Sequence, residues 1–163
     1  MFEALADQVQ AAAKRAEVRD AVREIYARLQ QQVDQRKPVC VASGRCCKFE
    51  EYGHRLYVTT MELAAFVHGL TEIEKEPETA VAGGRALPVA PSADGCPFQI
   101  GKLCGVHAIR PFGCRIFYCD PSATDWQQRQ YETFHAELKR LHEQFGVPYF
   151  YLEWRQALGI LGV

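Results

Sequence analysis

The chain has 163 residues, 48% of them hydrophobic and 24% charged, with a formal net charge of −1. That length suits a single domain with a real core, and that charge leaves no basic footprint for nucleic acid or an anionic membrane. The opening MFEALADQVQ carries acids where a secretory signal needs basic residues and an apolar block, and no stretch approaches the roughly eighteen apolar residues of a membrane span. The expected compartment is therefore the cytosol, where thiols stay reduced and clustered cysteines more often bind metal than pair.

Residues 2 to about 35 read as one long helix. Phe2, Leu5, Val9, Ala12 and Ala16 recur at three-and-four spacing, as do Val18, Val22, Ile25, Leu29 and Val33. The second stripe is one residue out of phase with the first, which predicts a rotation of the buried face or a bend between them. Glu24 and Arg28, four apart, predict an ion pair on the solvent face. Such a stripe packs onto its own domain or, as the alternative, onto a coiled-coil partner. The RKP at 36–38 ends the helix, because a residue before proline is pushed out of helical geometry.

A cysteine loop, CVASGRCCKFEEYGHRLYV, comes next. TTMELAAFVHG then predicts a short helix, with Thr59 and Glu62 as a capping box and Gly69 as the stop. Residues 71–95 read as a loop with one short strand near 87–90. The segment 96–119 is punctuated by glycine and proline and should fold as turns, with QIGKLCGVH as a small hairpin and Pro111 opening a short helix through Phe117. Asp125 to Phe145 predicts a second strong helix with Phe134, Leu138, Leu141 and Phe145 on one face, stopped by GVP. YFYLEWRQALGIL supplies a last apolar element, expected to be helical. The expected fold is mainly α with an irregular, cysteine-rich centre and one small β-hairpin. As one domain it divides into an N-terminal helix (2–35), a cysteine-cluster core (40–120) and C-terminal helices (124–161).

All seven cysteines, Cys40, Cys46, Cys47, Cys96, Cys104, Cys114 and Cys119, fall within that core, and all are candidate metal ligands. Their share of the composition is far below that of a disulfide scaffold, and an odd number strands one thiol. Structural zinc sites draw ligands from C-x2–4-C pairs, which only Cys114 and Cys119 form; iron–sulfur clusters accept wider spacing from loops. The spacing tilts toward an iron–sulfur cluster, a four-iron one among the options, with a zinc ion as the alternative. Arg45 and Lys48 bracket the vicinal pair, and Arg110 and Arg115 flank Cys114; positive charge there favours thiolates. His107, three after Cys104, is a possible mixed-set ligand outnumbered by thiols, while His54, His68, His135 and His142 read as surface or packing residues.

The string CPFQIGKLCGVHAIRPFGCRIFYC resembles the second block of the YkgJ-like cysteine-cluster family, matching at Cys96, Cys104, Arg110, Pro111, Cys114, Arg115 and Cys119. CVASGRCC resembles the family's C-x2-C-x2-CC block, with Ser43 where its second cysteine stands, and VTTMEL resembles the linker between blocks. The resemblance spans about residues 40–120 and implies zinc or iron chelation by these cysteines, with no agreed catalytic activity for small members. Some larger relatives, flagellin lysine methylases, join this domain to protein methylation. This chain carries no glycine-rich fingerprint for S-adenosylmethionine, so that activity is not expected of it. The expectation is a non-enzymatic metal-binding protein with no catalytic residues assigned, its partners a metal and an unidentified protein. The alternatives are a redox or protein-modifying enzyme or accessory built on the metal site, and a thiol redox sensor at Cys46–Cys47.

Overall fold

The computed structural model describes residues 2–75 and 94–163. The strand expected near 87–90 lies outside the described residues. Among them the chain forms seven α-helices and two small antiparallel ribbons, a mainly α architecture around an irregular centre.

The expected long N-terminal helix is two helices. Helix α1 spans Phe2–Ala13 and α2 spans Ala16–Arg36. Between them Arg15 takes an extended conformation, and its guanidinium donates to the Phe145 carbonyl at 2.9 Å. Arg19 closes the other side of the break by donating to the Ala13 carbonyl. The one-residue phase slip is thus resolved by a break, and the buried residues before and after it divide between two cores, with Ala12 and Ala13 at the end of α1 already in the second. Leu5 and Val9 of α1 join one buried cluster with Phe49, Phe66, Phe98 and Trp154. Val18, Val22, Ile25 and Leu29 of α2 join another with Met61, Phe112, Phe134 and Leu138. Ala16, expected on the first stripe, is exposed at the start of α2. Arg28 forms its ion pair with Glu137 across the helix interface, not with Glu24.

Helix α3 (Phe49–Tyr52) and strand β1 (Tyr57–Thr59) lead into α4 (Thr60–Lys75). The capping box is present: the Thr59 N–H donates to Glu62 Oε2 at 2.9 Å and the Glu62 N–H to Thr59 Oγ1 at 3.4 Å. Gly69 does not stop the helix, which runs on to Lys75. It serves close approach instead, since a Cβ there would meet Ile109 Cγ2 at 2.7 Å. The predicted hairpin is β2 (Gln99–Ile100) paired with β3 (Leu103–Cys104). Helix α5 (Phe112–Ile116) follows Pro111, and α6 (Thr124–Phe145) ends at Gly146 in the left-handed region.

The final segment is not wholly helical. Strand β4 (Tyr151–Glu153) pairs antiparallel with β1, Val58 opposite Leu152, before α7 (Trp154–Leu161). Helix α2 packs on α4, α5 and α6, while α1 packs on both α4 and α7.

Candidate metal centre

The two cysteine segments, 48 residues apart in sequence, meet in space. The Cys96 N–H donates to the Cys47 carbonyl at 2.7 Å, and the Gln99 side-chain amide donates to the Gly44 carbonyl at 3.0 Å. Gly44 makes that approach possible: its φ is +76°, and a Cβ would stand 2.7 Å from Gln99 Nε2 and 3.2 Å from the Lys102 backbone. A short 3-10 turn at Arg45–Cys47 then turns both vicinal thiols inward.

Five sulfurs share this interior. Cys47 and Cys96 are each 6% exposed, and Cys46, Cys104 and Cys114 are half-buried. Cys46 Sγ lies 4.0 Å from Cys47 Sγ, and Cys47 also interacts directly with Cys96. The indole N–H of Trp154 donates to Cys96 Sγ at 3.4 Å. These contacts split the thiols by acidity. The Cys46 thiol is pulled down to about 6, chiefly by its hydrogen bond with Cys47, and Arg110 assists. The Cys96 thiol falls to about 7 through Cys47, with Trp154 helping. Cys47 is raised, because it keeps the proton it offers to those neighbours. Burial pushes Cys104 and Cys114 up, and the other thiols of the group push them further.

The cations do not sit as the sequence suggested. Arg45 lies over the Tyr52 ring, and Lys48 pairs with Glu51 at 3.2 Å. Arg115 donates to the Ala108 and Arg110 carbonyls and covers the Tyr26 ring at 4.2 Å. Arg110 alone of the four acts on Cys46, Cys104 and Cys114 together, each time toward the thiolate. Its own guanidinium is held by the His107 carbonyl at 2.7 Å. The His107 side chain is exposed and is not among the main influences on the thiols. Cys40 and Cys119 are also exposed, and neither is among the main influences on the five inner sulfurs.

Three residues that sequence reasoning passed over for the centre hold it together. Trp154 arrives from 58 residues beyond Cys96 and carried no local signal. His54 sets Nε2 3.2 Å from the Cys46 carbonyl, with its ring stacked on Phe117. Glu62, foreseen only as a helix cap, also accepts the Phe112 N–H at 2.9 Å and so anchors the helix that carries Cys114. Beside the sulfurs is a cavity of about 400 Å³, onto which Cys46, Cys114, His54, Phe117, Gln127 and Tyr131 open.

The donor set fits a thiophilic metal in kind and in one distance. Two thiolates on one tetrahedral metal atom with bonds of about 2.3 Å stand about 3.8 Å apart, close to the Cys46–Cys47 separation. Among the described residues no three His, Cys, Asp or Glu side chains are drawn together at metal-holding geometry. No protein-family model, curated protein or solved structure matches the chain. Among the described residues no helix is long and apolar enough to cross a membrane.

Proposed function

We propose that this is a metal-binding protein of the cysteine-cluster kind it resembles, chelating zinc or iron through Cys46, Cys47, Cys96, Cys104 and Cys114. One observation carries the reading: five thiols from four separated stretches of chain converge in one interior, with Arg110 beside them. Soft thiolates select zinc and iron–sulfur chemistry over hard cations. The 4.0 Å spacing of Cys46 and Cys47 favours two ligands on one metal atom, as in a zinc site or one iron of a two-iron cluster. A four-iron cubane, in which each cysteine takes a different iron, suits it less.

Anaerobic purification with metal and acid-labile sulfide analysis tests this. Brown protein with labile sulfide identifies a cluster, and colourless protein with stoichiometric zinc identifies a zinc site. Protein that takes up neither ion sinks the reading. A second reading, an enzyme or accessory that uses the metal, draws support from the cavity that opens onto Cys46 and Cys114. Metal-dependent binding of a small molecule there, lost on chelation, would favour it.

A further inference from the structure

The cavity beside the sulfurs holds about 400 Å³, the size of a site for a small molecule of one or two fused rings. One of its walls is a stack of three rings. Phe49 stands edge-on to His54 at 5.3 Å, and His54 lies flat against Phe117 at 4.9 Å. The bond from His54 to the Cys46 carbonyl fixes the middle ring, and Phe117, 37% exposed, is the outermost. Leu56 and Ile116 add buried apolar surface to the lining. The polar side chains around them are largely engaged within the protein. Gln127 accepts the Tyr118 N–H at 2.7 Å and donates to the Tyr118 carbonyl at 3.2 Å. Thr124 donates to the Pro121 carbonyl, and Gln128 donates to Glu132. Among the described residues the lining includes no carboxylate, and its one guanidinium, Arg55, is paired with Glu50 at 3.1 Å. Tyr131 is different. It shares a hydrogen bond with Tyr151. Burial raises both hydroxyls above their ordinary range, and the bond adds to that rise at Tyr151 while opposing it at Tyr131. Tyr151 is therefore the donor and Tyr131 the acceptor, so the Tyr131 O–H remains to be donated elsewhere.

We propose that this cavity binds an uncharged, planar aromatic molecule bearing a carbonyl, with its ring on Phe117 and its oxygen accepting from Tyr131. Stacking on an aromatic face supplies contact area and orientation. One donor in an otherwise apolar lining fixes the oxygen, as the few polar groups of small-molecule sites do. Charge is selected against. An anion would find the guanidinium of the lining already paired, a cation would find no carboxylate, and desolvating an unpaired charge is costly. Cys46 and Cys114 open onto the same space, so the molecule would lie beside the thiols. Binding of this kind rests on the same cavity as the enzyme or accessory reading, but it does not need the metal on which that reading depends.

Coumarin, a neutral two-ring lactone, tests this by calorimetric titration into the full chain, as purified anaerobically and again after chelation. Saturable binding at one site per chain is expected. Coumarin-3-carboxylate, the same ring system with a negative charge, should bind at least about tenfold more weakly. Tyr131→Phe should weaken coumarin about fivefold, the usual effect of one hydrogen bond, and leave the binding of indene, a hydrocarbon of similar size, unaffected. Phe117→Ala should weaken both molecules about fivefold. Phe117 is part-exposed, so that variant should fold, and an unchanged circular dichroism spectrum checks it. Absence of saturable coumarin binding to the chain as purified overturns the proposal, as does a carboxylate that binds equally well. So does a Tyr131→Phe variant that binds coumarin normally or loses indene as well. Such a failure leaves the chelation reading intact, because metal and sulfide analysis decides that separately. Coumarin binding that survives chelation supports the ligand site and removes the metal-dependent reading, whereas binding that chelation abolishes supports both.

Discussion

At the scale of single residues, the centre is organised by where protons sit. At pH 7.5 Cys46, lowered to about 6, is mostly thiolate and Cys96, lowered to about 7, is more thiolate than thiol, while Cys47, Cys104 and Cys114 hold their protons. Four ligands drawn from these five thiols must include at least two of the protonated three. Metal uptake at pH 7.5 should therefore release about two or more protons per ion, and log affinity should climb by about two or more per pH unit. A pH-indicator titration during loading measures this, and release of fewer than one proton per ion would exclude the thiol set. Glu62 is a second residue whose proton matters. It is 2% exposed and accepts from Thr59 and Phe112, and burial raises its pKa above the ordinary 4.5. A carboxyl raised on folding adds most stability below its unfolded value and loses it as pH climbs through the folded one. Glu62→Gln replaces one acceptor with a donor facing a backbone N–H, at a cost of about 1–3 kcal/mol. That deficit should be largest in acid and narrow as pH rises above 4.5, in urea denaturation of the two proteins side by side. A deficit that widens with pH would mean the buried group is ionised throughout.

At the scale of elements, Gly69 marks where α4 approaches the turn His107–Ile109 ahead of Arg110. In an isolated helix Gly→Ala gains about 1 kcal/mol. Here the new methyl would meet Ile109 at 2.7 Å, and overpacking of this kind costs about 1–3 kcal/mol. Gly69→Ala should thus lower the denaturation midpoint and weaken metal retention together, because the displaced turn holds Arg110. An unchanged midpoint would mean that Ile109 steps aside freely. The same residue shows what a sequence conveys and what it hides. Glycine late in an apolar run reads as a stop, because local rules contain no term for a neighbour 40 residues away. The stripe Val18, Val22, Ile25, Leu29, Val33 was legible because every member is buried and the first four share one core. So were the hairpin that begins at Gln99 and the capping box, which are local devices. The phase slip before Val18 was visible, but its outcome as a break depended on Arg15 reaching the Phe145 carbonyl. Strand β4 was hidden in a helical reading because its partner, β1, is 94 residues earlier. For the centre, the sequence supplied the thiols and Arg110. Burial, which separates five sulfurs from Cys40 and Cys119, is a tertiary property, and so is the placement of Arg115 over Tyr26.

At the scale of the whole molecule, the thiols belong to only one of the two cores. Cys47 and Cys96 are packed with Leu5, Val9, Phe66, Phe98 and Trp154, so α1, the hairpin and α7 share a cluster with the buried thiols. The other cluster, of α2 against α4, α5 and α6, contains no cysteine. Ligand thiolates gathered in an apolar interior repel one another without an ion, and metal affinity is then folding free energy for whatever is packed around them. Removing the metal should consequently loosen the first core and spare most of the second. In hydrogen exchange, amides of 96–104, of α7 and of the first turns of α1 should speed up on chelation, while α2 and α6 keep their protection. Helix α1 is the discriminating element: its Leu5 and Val9 pack with the thiols, while Ala12 and Ala13 at its end belong to the second core, so its first turns should respond and its last turn should not. The Arg15 guanidinium ties the start of α2 to the end of α6. If α1 and α2 respond alike to chelation, the two cores form one cooperative unit, and the metal supports the whole fold rather than its thiol-bearing half.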